Sequence, residues 1–141
     1  MNQKRQIAGP TLLAALLSAV VGCEANVSER DLDPAEVGQV LDAAQSPGTI
    51  LIDARTPSAF DRGHIPGAVN LNIADVNLES RNRPDLLAAD RIIVYGQNPG
   101  DPLAAGLALR LLEAGYGATT IYRGGVDDWT ATGGDLVTDA P

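Results

Sequence analysis

The sequence predicts an α/β fold: a single domain built on a mostly parallel central sheet of about five strands, with helices on both faces. Three observations carry this. The chain has 141 residues, the length of one domain. Its hydrophobic fraction is 45%, enough to bury a core and too much for a disordered acidic tail. Short apolar runs rich in β-branched residues alternate with segments of helical periodicity, the pattern of a parallel sheet covered on both sides. Ligands in such sheets bind outside the carboxyl ends of the strands.

Each element has its own local reason. Asp33-Pro34-Ala35-Glu36 reads as a helix start, an N-cap Asp followed by Pro in the first turn and Glu at the third position. Val37, Val40, Leu41 and Ala44 follow at helical spacing, and Ser46-Pro47-Gly48 stops the helix. Residues 49–52 (TILI) form a short β-branched run, hence a buried strand. Thr56-Pro57 opens a brief helix ending near Gly63, and Ala68–Leu71 is a second strand. Residues 73–90 are irregular apart from a helical turn near Asp85–Ala89. Arg91–Tyr95 is the third and most apolar strand. Asp101-Pro102 repeats the cap-plus-proline start, Leu103, Leu107, Arg110, Leu111 and Ala114 share one helical face, and Gly115 ends the helix. Residues 119–122 (TTIY) form a fourth strand, and Gly124-Gly125 turns into a short helix through Trp129. The predicted core is Ile50, Ile52, Val69, Ile92, Val94, Ile121 and the Leu107/Leu111 face.

The first 22 residues read differently. Residues 1–6 carry Lys4 and Arg5 and no acid, and residues 7–22 carry no charge. That apolar run falls short of the roughly 20 residues a bilayer span needs, and a basic start before a short apolar run is a secretory signal. Cys23, the chain's one cysteine, stands where the run stops. Val20-Val21-Gly22-Cys23 resembles the bacterial lipoprotein cleavage box. The resemblance implies cleavage before Cys23, acylation of its thiol and amine, and a bilayer as the partner of that acylated residue. Several acyl chains on one residue anchor stably where one chain does not. The organisation expected is a signal peptide at 1–22, a lipidated Cys and tether at 23–32, and the folded domain at 33–141. The localisation expected is the cell envelope. In the lipoprotein sorting pattern Asp after the Cys favours the inner membrane, so Glu24 points to the outer one.

Composition closes several function classes. One Cys and one His exclude an internal disulfide and a Cys/His metal cluster. A net charge of −8 leaves no basic stripe for a phosphate backbone, which excludes nucleic acid. No cofactor is implied, and a monomer is expected.

Residues 51–68 (LIDARTPSAFDRGHIPGA) resemble the rhodanese family: Asp-x-Arg, a Phe five residues after that Arg, then Gly-His-Ile-Pro-Gly-Ala. Residues 92–95 with the helix bearing Ala104-Ala105, and residues 122–125 (YRGG) with Trp129, Gly133 and Val137 beyond, repeat the likeness over roughly residues 33–138. The family motif thus falls on Asp53, Arg55, His64 and Gly67. Read from the residues alone, Asp53 sits at a strand's carboxyl end and fixes the turn with Arg55. His64 is either a loop-fixing hydrogen-bonding group, the favoured reading, or a general base. Trp129 packs in the core or at its rim. The resemblance implies a five-stranded fold, with a short first strand near Asn26–Ser28.

The resemblance also implies a Cys after the third strand, within a loop whose backbone N–H groups point at its sulfur. That Cys takes up sulfane sulfur as a persulfide and passes it to a thiol or cyanide, which requires a thiolate. Here that position is Gly96, and the loop reads Gly96, Gln97, Asn98, Pro99, Gly100, Asp101. A basic residue is common in the family where Asp101 stands. Pro99 and Pro102 carry no N–H. Three functions remain: a membrane-tethered, non-catalytic binding or regulatory module with an envelope partner, a sulfurtransferase using an unusual or partner-supplied nucleophile, and a structural envelope lipoprotein. The first is favoured.

Overall fold

The alternation of apolar runs and helical segments produces four parallel strands in the order β2-β1-β3-β4. The computed structural model describes residues 35–43, 45–78 and 82–138. The strands are β1 (Thr49–Asp53), β2 (Ala68–Asn70), β3 (Arg91–Tyr95) and β4 (Thr119–Tyr122). The helices are α1 (Val37–Ala43), α2 (Pro57–Arg62), α3 (Pro84–Ala88), α4 (Pro102–Glu113) and α5 (Gly125–Ala131), with a 3-10 turn at Ile73–Asp75.

Side chains alternate across a strand, so an apolar run covered on both faces feeds two cores. Ile52, Ile92, Val94 and Ile121 point to one face and meet Leu107, Ala108 and Leu111 of α4 and Leu86 of α3. Leu51, Ile93, Tyr95 and Tyr122 point to the other and meet Val40 of α1 and Val126 and Trp129 of α5. The longest helix among the described residues, α4, is capped by Asp101, starts at Pro102, and stops where Gly115 turns to φ 85°. There the N–H groups of Gly115 and Tyr116 close on Leu112 and Leu111.

The sheet has four strands among the described residues. The strand expected at Asn26–Ser28 lies outside them, as do Asp33, Pro34, Ala44, the signal segment and Cys23. The first helix begins at Val37 rather than at Pro34, with the Glu36 N–H bonded to Gln39 Oε1. Leu41 and Leu103 are exposed rather than inward. Leu103 lies in the first turn of α4, and the buried stripe there runs through Ala104, Leu107, Ala108 and Leu111. Val69 is 42% exposed because β2 is a three-residue strand that, among the described residues, lies at the sheet edge with a neighbour on one side only. Ile50 is only partly buried, at the start of β1.

Candidate functional site

Parallel strands bring all their carboxyl ends to one rim, and this rim gathers Asp53, Tyr95 and Tyr122, the last residues of β1, β3 and β4. Its buried centre is an ion pair. Asp53 is fully buried and Arg55 nearly so. The Arg55 backbone N–H donates to Asp53 Oδ1 at 2.9 Å, its Nε to both carboxylate oxygens at 3.0 and 3.1 Å, and its Nη2 to Oδ2 at 2.6 Å. Nη2 also donates to the Gly63 carbonyl at 2.7 Å and Nη1 to Gln97 Oε1 at 3.0 Å. Burial by itself lowers the Arg55 pKa, but the hydrogen bonds and charge of Asp53 outweigh it and the net shift is upward. One planar guanidinium therefore ties the end of β1 to the Gly63 corner and to the loop after β3.

His64 is buried with its ring stacked on Phe60, centroids 3.7 Å apart, and its Nδ1 lies 3.1 Å from the Phe60 carbonyl. Its backbone N–H and C=O pair with Val137. That is the loop-fixing role. Gly67, at φ 80°, makes the turn that carries the chain into β2. The Asn70 amide donates to the Asp53 and Arg55 carbonyls, both at 2.9 Å. The Tyr95 hydroxyl accepts the Ile65 N–H at 3.2 Å. Burial, with the Asp53 charge added, lifts the Tyr95 pKa well above its ordinary range, so the phenol stays protonated. Trp129 is core, its indole N–H donating to the Asp135 carbonyl at 2.9 Å.

The loop from Gly96 to Asp101 closes upon itself. Asp101 caps α4 with Oδ1 on the Leu103 N–H at 2.9 Å, and its Oδ2 accepts the Gln97 N–H at 2.7 Å. The Gly100 N–H donates to Asn98 Oδ1 and the Asp101 N–H to the Asn98 carbonyl, each at 3.0 Å. From outside, the start of α5 clamps the loop: the Val126 and Asp127 N–H groups donate to the Gly96 and Gln97 carbonyls at 3.1 and 2.9 Å. Gly125 makes this approach possible. It has φ 62°, and a Cβ there would stand 2.6 Å from the Gly96 carbonyl oxygen. Beside the loop a cavity of about 260 Å³ opens between residues 98–102, Ala104, Ala105, Ile121 and Arg123.

A model of the rhodanese-like domain matches residues 36–132. The chain belongs to the rhodanese-like family. It is 34% identical over 96 residues to the thiosulfate sulfurtransferase GlpE of Pseudomonas putida, covering 67% of this chain and 81% of that one. It is 29% identical over 105 residues to the thiosulfate:glutathione sulfurtransferase of Saccharomyces cerevisiae, over 63% of this chain and 70% of the relative. The rhodanese-like domain of an Anabaena protein superposes with a TM-score of 0.59 at 25% identity, covering 77% and 79% of the two chains. A Bacillus halodurans protein superposes at 0.65 with 20% identity over 76% of each chain, a likeness of fold alone.

The rim joins most of the residues singled out in the sequence. Asp53 and Arg55 meet each other and reach the Gly96–Asp101 loop through Gln97, while His64 and Gly67 stand apart as shapers of the β1–β2 connection. Asn70 carried no sequence signal, and Gln97 was legible only as a member of the loop after the third strand. Gln97 bridges Arg55 Nη1 to Asp127 Oδ1, the latter through its Nε2 at 2.7 Å, and so links a residue 42 positions before it to one 30 positions after it. Asn70 looks like any polar strand end. Gly125 was visible only as half of a Gly-Gly turn.

Proposed function

We propose that this chain is a non-catalytic rhodanese-like module, held at the cell envelope by acylated Cys23, that binds or regulates an envelope partner. The observation that carries the reading is the loop after β3. The residue there is Gly96, the chain's one cysteine is Cys23, and a persulfide has no sulfur to form on at Gly96. The committed donors of the loop support the same reading. The N–H groups of Gln97, Gly100, Asp101 and Leu103 are bonded within it. Pro99 and Pro102 have none to offer an oxyanion. The carboxylate of Asp101 adds a charge that repels thiosulfate.

The relatives named as sulfurtransferases favour a second reading, sulfur transfer with an unusual or partner-supplied nucleophile. A thiosulfate:cyanide assay separates the two when it is run on the chain alone and on an envelope extract with and without the chain, since the second reading expects the chain to raise turnover in the extract. The full chain alone is expected to make no thiocyanate above the uncatalysed rate, and turnover by the purified protein overturns the non-catalytic reading. For the anchor, labelled fatty acid is expected in the wild type and not in Cys23→Ser. No label in the wild type removes the lipid from the proposal.

A further inference from the structure

Glycine at 96 is not required by the backbone. Six described glycines have positive φ, and Gly96 is not among them, so its conformation accepts a side chain. The obstacle is Asp101. A Cβ placed on Gly96 would lie 2.6 Å from Asp101 Oδ2, 2.8 Å from its Cγ and 3.1 Å from its Cβ. All three are inside the roughly 3.5–4.0 Å at which non-bonded carbons attract. A flexible side-chain tip would yield cheaply, but this carboxylate is fastened at both oxygens, to the Gln97 and Leu103 N–H groups.

We infer that Asp101 is the residue that keeps position 96 bare: its carboxylate occupies the space of a side chain there and bars the strand end to a nucleophile by volume and by charge. A thiol at 96 would have to dislodge the cap of α4 to enter, and a thiolate would then face a carboxylate, which raises a thiol pKa. This deepens the non-catalytic reading and takes its functional meaning from it. The two positions form one coupled unit, so a single substitution does not rebuild a reactive loop.

The test is a four-member cycle in the full chain: wild type, Gly96→Ala, Asp101→Gly and both. Glycine is nearly as good an N-cap as aspartate, so Asp101→Gly removes the carboxylate with little loss of capping. Gly96→Ala is expected to lower the folding equilibrium constant at least tenfold in the wild type. In the Asp101→Gly background the same change is expected to alter it less than twofold or to raise it, since alanine at a compatible backbone restricts the unfolded chain. An equal effect of Gly96→Ala in both backgrounds overturns the assignment. Should Gly96→Ala fail to fold, amide exchange decides. The Gln97 and Leu103 amides are expected to exchange at least tenfold faster in Asp101→Gly than in the wild type, and unchanged rates overturn the assignment. Failure of the two claims is distinguishable. Thiocyanate turnover by the wild type sinks the non-catalytic reading and leaves the cycle standing, whereas an additive cycle sinks the role of Asp101 and leaves an inactive wild type unexplained by it.

Discussion

Asp53→Ala tests the buried ion pair at the rim most directly. The substitution strips the Arg55 guanidinium of its three side-chain bonds to the carboxylate, at 2.6, 3.0 and 3.1 Å, and also removes the acceptor of the Arg55 backbone N–H. The cation stays in place, because Nη2 still holds the Gly63 carbonyl and Nη1 still holds Gln97. With side-chain exposures of 8% for Arg55 and 0% for Asp53, water has little access to the orphaned charge. Breaking such a pair from one side costs about 3–5 kcal/mol. A domain of this size has a total stability of about 5–15 kcal/mol, so the variant should sit close to unfolding. Arg55→Ala should cost a similar amount, because a buried carboxylate then loses its cation and is left to neutral donors, the backbone N–H of residue 55 and the Tyr95 phenol. The double variant should cost less than the two singles together by about 1–3 kcal/mol, since removing both partners leaves no unpaired charge. Urea unfolding followed by fluorescence of Trp129, the chain's one tryptophan and buried, reads all four proteins. An Asp53→Ala midpoint within error of the wild type, or a strictly additive cycle, would refute the claim that this pair holds the rim together.

Three further outcomes follow from the same geometry. Leu111→Ala, at a fully buried position on the sheet face of α4, should cost about 2–5 kcal/mol, and an unchanged urea midpoint would mean the helix face is misassigned. Gly125→Ala should destabilise the fold and free the Gly96 and Gln97 carbonyls, read as faster exchange of the Val126 and Asp127 amides, because φ 62° and a 2.6 Å approach leave no room for a Cβ. Stability should fall as pH rises above about 10, the ordinary tyrosine pKa. Burial raises the pKa of Tyr95 and of Tyr122, the latter with its hydroxyl on Asp128, so the folded state keeps protons that the unfolded state releases. With two such groups the slope reaches about 2.7 kcal/mol per pH unit. Urea midpoints from pH 8 to 11 check it, and a flat profile would contradict the burial of both phenols.

Much of the fold was legible because it is written in local signals. Thr56-Pro57 and Asp101-Pro102 mark helix starts by capping chemistry alone, and both open helices in the structure. The run Ile92–Tyr95 is apolar at odd and even positions, the pattern of a strand buried on both faces. Where expectation failed, the deciding quantity was the number of neighbours. Val69 is as apolar and β-branched as Ile52, with which it is paired in register, yet one is exposed and the other has no exposed surface. A residue's own chemistry does not say whether its strand lies at an edge. Leu41 and Leu103 follow the helical period and still face outward, because the stripe that packs is set by where each helix sits on the sheet.

The sequence by itself determined which elements form and in what order, the family motif on Asp53, Arg55, His64 and Gly67, and the lack of a cysteine after the third strand. These are properties of single residues and of short spacings. Only the tertiary structure decided what those residues do to one another. Parallel pairing brings the ends of β1 and β3 side by side, with Asp53 opposite Tyr95. That juxtaposition lets Arg55 reach a loop 42 residues away through Gln97. A turn of chain four residues long brings the Asp101 carboxylate back onto the Gln97 N–H, beside the bare Cα of Gly96. Charge and capping preference are legible one residue at a time. Occupied volume is a property of the packed molecule, and it is volume that couples Gly96 to Asp101.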